Sequence, residues 1–510
     1  MRSSDAVDAV VIGAGLSGLI CAARLVREGR RVLVLEKSPH PGGTSYVFRR
    51  KGFTFPMGAL GFSFPDKVRS FLNETGLDAE WTFRRNHFEF SAPGFDLVYS
   101  RPLAVLNEAL GRLFPEEKAG LADFTAVLTS ITRFCADPED WHPDFLSGSK
   151  KRLSVENRDP GFVEKVDRVR RLSRAPSGPW LDRLIGHPRL RNFLGSMGDA
   201  EPQMSMFGLA FMWDIMAEIG IWTPARGIDG IADALAGAIR ARGGEIRLNS
   251  PVKQISTAGG RASGVLMEDG GSVESRWVIS SADYKTTFLD LLGSKDVPQD
   301  HLDLVRRIPY TDSEFCVYLG IDPARVDFRR MGADHVFFRE EIGSGGPPDL
   351  EDFPNREIEI CLWARDLPGL VPPGRATLLI RVPFPYGHFA AWRTGEKTRK
   401  PGYAEAKSRL ADKLVAVAER LLPGLARSVE VMDAATPLTY RDWGGRPGGS
   451  IAGWTWASGE ACDLAAGLLV ETPVRNLLAA GLYSAPGLFL GGIPTSMSTG
   501  LAAARVVLED

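Results

Sequence analysis

At 510 residues, 44% of them hydrophobic, the chain can hold two or three domains and bury a large core. Its 61 Lys and Arg against 63 Asp and Glu leave a formal net charge of −2, which argues against nucleic acid as a partner. Five cysteines (Cys21, Cys135, Cys316, Cys361, Cys462) are odd in number and lack CxxC spacing, which fits reduced thiols better than a disulfide framework or a zinc site. A few polar residues lead straight into an apolar run, so no leader peptide is expected and the expected compartment is the cytoplasm.

Val7 to Ile12 is an apolar, β-branched run that predicts a buried parallel strand. Gly13-Ala14-Gly15-Leu16-Ser17-Gly18 then turns the chain into a helix with apolar positions at Leu19, Ala22, Ala23 and Val26. The glycines meet separate steric needs, with Gly13 making the tight turn, Gly15 allowing close approach to a pyrophosphate and Gly18 letting helix and strand pack. The unpaired N–H groups and positive end of such a helix hold the pyrophosphate. A second strand over 31–35 ends at Glu36, placed to accept hydrogen bonds from ribose hydroxyls, with Lys37 beside it.

A Pro- and Gly-rich loop follows, and Gly42-Gly43-Thr44 can bring backbone against a ligand without Cβ clashes. Here the chain resembles the glutathione-reductase-type flavoproteins, which implies FAD rather than NAD. In that family the next stretch, residues 52–62 with Gly58 and Ala59, runs along the flavin ring toward the substrate. Plain core packing explains its single aromatics equally well.

Residues 65–222 are mostly helical in pattern. Between Lys150 and Arg174 basic residues outnumber acidic ones, as on a solvated helix face or a surface for anionic lipid headgroups. The Met- and aromatic-rich run from Met204 to Trp213 is broken by Asp214 and Glu218, so it reads as core or as the wall of an apolar tunnel, not as a span. Residues 223–285 predict a helix through Arg242, then short strands ending near Asp283; Val252 matches the valine whose main chain holds adenine in two-domain flavin oxidoreductases. Residues 286–435 offer strands at 315–320, 358–363 and 376–380 and a helix over 403–422, a mixed-sheet substrate domain.

The last block, 436–510, predicts a strand over 477–481, a loop from Leu482, and a helix over 494–508 opening at Gly491-Gly492-Ile493-Pro494. No charged residue occurs from Asn476 to Ala504, yet its Gly, Pro, Ser and Thr content fits a buried strand, loop and helix better than a membrane span.

Together these blocks resemble the phytoene desaturase family in its broad sense: carotenoid desaturases, carotenoid isomerases and retinol saturases. The resemblance implies an α/β fold, with a glutathione-reductase-type FAD-binding Rossmann domain assembled from both chain ends (1–64, 223–285, 436–510) and a mixed-sheet-plus-helices substrate domain. It implies non-covalent FAD, a lipophilic polyene substrate, peripheral membrane contact and a separate electron acceptor or donor. Relatives often carry an acidic residue where Leu482 follows Gly481, so this edge departs from the family pattern. No residue is singled out as catalytic; Asp214, Glu218 and Arg441 are candidates only, and no metal set is expected. Two other readings stay open. One is a flavin amine oxidase or protoporphyrinogen-oxidase-like enzyme, using Tyr440, Trp454 or Trp456 beside the flavin. The other is a binding module like the GDP-dissociation inhibitors.

Overall fold

A computed structural model describes residues 7–77, 80–135, 164, 167–168, 171–172, 174–196, 204–293, 296–340, 349–365, 369–455, 469–484 and 492–510. The opening strand Val7–Ile12 lies between Val32–Leu35 and Ser272–Ser280, parallel to both. Glu245–Arg247 extends the parallel set beyond Val32–Leu35, and Leu477–Ala479, from near the other end of the chain, pairs in parallel with Ser272–Ser280. The strands Val252–Ala258 and Arg261–Met267 add an antiparallel meander. The opening strand is apolar on both faces because both faces are covered. Ala9 and Val11 face a cluster that includes the helices, whereas Val10 and Ile12 face Ile255, Val265, Tyr284 and Phe288.

Three helices cover the first of those faces: Leu16–Arg27, Gly230–Ala241 and Gly492–Glu509. The closing helix buries Ile493, Met497, Leu501, Ala503 and Val507, so the absence of charge up to Ala504 reflects a core position. A large aliphatic side chain contributes about 1.5–3 kcal/mol when fully withdrawn from water. Among the described residues no helix is long and apolar enough to cross a membrane.

A second, seven-stranded sheet runs in the order Val429–Ala435, Ser313–Ile321, Ala376–Phe384, Ile358–Arg365, His335–Phe338, Phe88–Ala92, Phe95–Val98. All its pairings are antiparallel except His335–Phe338 with Phe88–Ala92. Phe315, Val317, Leu378 and Ile380 bury one face under the helix Tyr403–Leu421, through Leu410, Leu414 and Ala418. Cys316, Tyr318, Cys361 and Leu379 turn the other way, into the apolar cluster of the first sheet. There Phe48 and Phe55 pack against the Tyr318 ring at 5.0 and 5.8 Å. The segment read as mostly helical thus also supplies two strands of this sheet; its helices, including Leu103–Leu113 and Met206–Trp213, form a separate apolar cluster.

Candidate functional site

The crevice at the ends of the parallel strands is built around glycine. Gly13 has φ +95°, open to glycine at little cost, and a Cβ there would sit 3.3 Å from Ser281 Oγ. A Cβ on Gly18 would collide with the Gly13 carbonyl oxygen, so helix and strand can approach only because it is absent. Gly42 N–H donates to the Ala14 carbonyl at 2.8 Å, and a Cβ on Gly43 would lie 3.1 Å from Gly15 Cα. Two glycine elements separated in sequence are therefore in backbone contact, without side chains between them.

The helix beginning at Leu16 has Gly15 as its N-cap, no side chain capping it and no acidic residue in its first turn. Its leading N–H groups and positive end are left for an anion. Glu36 is buried; its Oε2 accepts from Ala14 N–H at 2.6 Å and its Oε1 from Ser38 N–H at 2.8 Å. The carboxylate thus closes on the glycine turn. Ser250 N–H donates to the Glu36 carbonyl at 2.8 Å, which carries the half-buried Val252 alongside.

The far end of the chain enters the same crevice. Ser17 Oγ donates to Ser281 Oγ at 3.0 Å, and a Cβ on Gly481 would lie 3.5 Å from Ser17 Oγ. Gly481 N–H donates to Thr499 Oγ1 of the closing helix at 2.9 Å. Ile493 and Pro494 are buried at the start of that helix, Gly492 is exposed, and Gly491 lies outside the described residues. Leu482 follows and lies against Gly453, where a Cβ would be 3.1 Å from Leu482 Cγ.

Thr44, Gly58 and Ala59 continue the wall, with Ala59 N–H donating to the Thr44 carbonyl at 3.4 Å. Lys37 Nζ lies 2.8 Å from where a Cβ on Gly445 would be. The bare glycine backbone, the uncapped helix end and the inward carboxylate fit a dinucleotide: room for a diphosphate, a positive field for it, and an acceptor for ribose hydroxyls.

Several expected chemical groups have structural duties. Glu218 Oε1 accepts from Leu103 N–H at 2.8 Å at the head of the helix Leu103–Leu113. Arg441 donates to Tyr386 Oη at 2.5 Å. Burial and then the nearby Glu218 charge raise the Asp214 carboxyl to about 6. Trp454 stacks on Tyr310 at 5.0 Å and donates to the Tyr483 carbonyl at 3.0 Å. Trp456, Cys462, most of residues 150–174 and the Cys135 side chain lie outside the described residues; Cys21, Cys316 and Cys361 are free and buried. Among the described residues no three His, Cys, Asp or Glu side chains come together as a metal set.

Sequence reasoning missed a buried polar network on the inward face of the second sheet. His335 Nδ1 and Glu359 Oε1 lie 2.6 Å apart, and Arg381 Nε donates to Glu359 Oε2 at 2.8 Å. Arg381 Nη1 lies 3.5 Å from Glu314 Oε2, and Tyr440 Oη donates to Glu314 Oε1 at 2.6 Å. Burial alone would raise the Glu359 carboxyl, but the Arg381 charge and the His335 contact outweigh it and hold it at about 2. Polar residues at alternate positions of apolar strands were the available signal.

The family model for flavin containing amine oxidoreductases matches residues 16–508, from the first residue of the opening helix nearly to the end of the closing one. The chain belongs to the flavin containing amine oxidoreductase family. It is an FAD-dependent oxidoreductase. Within this family it is 28% identical to a chloroplastic prolycopene isomerase of an Oncidium hybrid cultivar, over 88% of this chain and 76% of the relative. It is 26% identical to a zeta-carotene-forming phytoene desaturase of Myxococcus xanthus, over 98% of this chain and 93% of the relative. An all-trans-retinol 13,14-reductase of Danio rerio is 24% identical over 100% of this chain and 87% of its own. The fold matches putrescine oxidase (TM-score 0.64, 17% identity, 99% of each chain) and cyclohexylamine oxidase from Brevibacterium oxydans (TM-score 0.62, 17% identity, 99% of this chain and 100% of the other). Membership of this flavoenzyme family displaces the binding-module reading, and amine oxidase describes the wider family around the chain's carotenoid- and retinol-related relatives.

Proposed function

We propose that this flavoenzyme acts on a carotenoid-like or other lipophilic polyene, as a desaturase, saturase or isomerase. The observation that carries the reading is that relatives aligned over most of the chain are named for isomerising, desaturating or reducing molecules of that kind. Amine chemistry finds less support: Tyr440 and Trp454 are buried, the one bonded through its hydroxyl to Glu314 and the other stacked on Tyr310, and core packing accounts for both.

On this reading, residues 1–64, 223–285 and 436–510 make a Rossmann-type FAD-binding body from both chain ends. Residues 65–222 face the substrate and an anionic membrane surface, and residues 286–435 form the substrate domain. The backbone of Gly13, Gly15, Leu16, Ser17, Gly18, Gly42 and Gly43 receives the diphosphate. Glu36 and Lys37 serve the ribose, with the Glu36 carboxylate exchanging its hold on Ala14 N–H for ribose hydroxyls, while Val252 lies on the adenine side. Thr44, Gly58 and Ala59 line the ring, and Gly481, Leu482, Gly492, Ile493 and Pro494 close its pyrimidine edge, where the positive end of the closing helix favours negative charge. When bound, FAD supplies hydride exchange with a substrate C–H bond, or electron density for a transient polyene cation; the protein supplies orientation and field. Electrons pass to or from a separate carrier. The protein would work in the cytoplasm, at the membrane surface.

Anaerobic incubation of candidate polyenes with the protein carrying oxidised FAD, and separately with the protein carrying dithionite-reduced FAD, tests this. Loss of two hydrogens in the product mass reports desaturation, gain reports saturation, and unchanged mass with altered chromatographic retention reports isomerisation. Unchanged polyenes in both flavin states, together with peroxide release from amines in a parallel assay under air, would overturn it.

A further inference from the structure

Arg446 lies in the glycine-rich loop after the short helix Pro437–Asp442, and neither composition nor family resemblance singled it out. Its side chain is 9% exposed. Nη2 fills the position that a Cβ on Gly58 would take, and the same Cβ would lie 3.1 Å from the Thr44 carbonyl oxygen. The guanidinium therefore sits on the wall assigned above to the cofactor.

Among the described residues no carboxylate stands within ion-pair distance of Arg446, and Nη1 reaches only the Ser450 carbonyl, at 3.5 Å. Its remaining support is the Tyr440 ring, 5.6 Å from the guanidinium carbon. That ring is fixed by the 2.6 Å bond from Tyr440 Oη to Glu314, which also faces Arg381. Half-buried arginines of the second sheet region, more exposed than Arg446, carry carboxylate partners: Arg381 meets Glu359, and Arg399 meets Asp442 at 2.7 Å. A guanidinium withdrawn from water and held rigidly without an anion is an anion site. Lys37 Nζ approaches the neighbouring Gly445 and adds positive potential to the same crevice.

We infer that Arg446 is a further cofactor-binding residue, pairing its guanidinium with an anionic group of bound FAD. Two parts of FAD offer that chemistry, the diphosphate and the pyrimidine edge of the reduced ring. The inference rests on the FAD-crevice assignment of the preceding subsection.

The test compares parent, Arg446→Met and Arg446→Lys proteins by FAD and ADP dissociation constants and by the midpoint potential of bound FAD. A diphosphate contact predicts at least tenfold weaker binding of both FAD and ADP in R446M at an unchanged potential. A ring contact predicts near-parental binding of ADP and oxidised FAD, with the potential lowered by about 30 mV for each tenfold loss of preference for the reduced form. In either case R446K recovers part of the loss, because charge is restored without the planar fork. R446M with parental constants and potential overturns the assignment, as does a loss that R446K leaves entirely unrestored while the apo-protein melts earlier. If R446M fails to fold, R446K against parent still reads the contact: unchanged constants and potential then overturn it. A parent protein that takes up no FAD overturns the crevice assignment itself.

Discussion

Ser17 and Gly500 meet where the first and last helices of the chain cross: a Cβ on Gly500 would strike the Ser17 carbonyl oxygen and press on Ile20 Cγ2. The opposing atom is backbone, so it cannot swing aside. Gly500→Ala gains about 1 kcal/mol of helix propensity. Overpacking against a backbone oxygen costs about 1–3 kcal/mol. The expected result is net loss of stability with weakened FAD retention, read by urea unfolding of the apo-protein and by FAD release on dilution. A variant as stable as parent would show that the helices can separate without consequence.

Glu36 holds Ala14 N–H and Ser38 N–H through its two oxygens. Glu36→Gln keeps the shape and one acceptor but removes the charge, and hydrogen bonds to charged groups are worth about 1.5–3 kcal/mol. FAD and AMP affinity should fall together by tenfold or more, measured by fluorescence titration, and the apo-protein should also melt earlier, because one of the two N–H groups then faces an amide donor.

Glu359 contributes through charge in a place without water. Its carboxyl, at about 2 when folded against an ordinary 4.5, is depressed, so its contribution is complete above about 4.5 and disappears as pH falls toward 2. Glu359→Gln removes the charge facing Arg381 and His335 but leaves Arg381 with Glu314 at 3.5 Å and partly in solvent, so the cost falls below the roughly 3–5 kcal/mol of a fully broken buried pair. The variant should melt below parent at pH 7 and show a shallower stability slope between pH 4.5 and 2. Equal slopes would remove Glu359 from the acid transition.

Asp214 acts with the opposite sign. Its carboxyl, raised from 3.8 to about 6 by burial and by Glu218, binds protons more tightly in the folded state. Stability should therefore decline as pH rises from about 4 through 6 and stay at the lower level above it. Asp214→Asn should flatten that window and melt no lower than parent at pH 7, as followed by thermal unfolding across pH 4–7.

What the sequence revealed was what local spacing encodes. The run from Val7 to Glu36 carries strand, glycine turn, helix and acid within one continuous stretch, and the structure assembles them in that order. The strands Ser313–Ile321, Ile358–Arg365 and Ala376–Phe384 were legible from apolar runs, and the closing helix from its Pro start, but His335–Phe338 between them was not. The strands Phe88–Ala92 and Phe95–Val98 were not, because short strands beside helical periodicities give little pattern of their own and acquire meaning only by pairing with His335–Phe338. Arg446 was equally hidden: its significance depends on Gly58, far away in sequence, lacking a side chain. The Glu314–Arg381–Glu359–His335 network shows as alternating polar positions, but which residues pair is set by strand register, and register is a property of the assembled sheet.

The pairing of Leu477–Ala479 with Ser272–Ser280 has a consequence for biosynthesis. A ribosome delivers the glycine turn first and the strand and helix that close the crevice last, so the nascent protein must keep an unfinished β-edge and the apolar flank of its first helix out of trouble throughout translation. A chain broken off before Leu477 lacks both the strand that pairs with Ser272–Ser280 and the helix that packs on Leu16–Arg27, so it should be cut by protease far faster than the full chain.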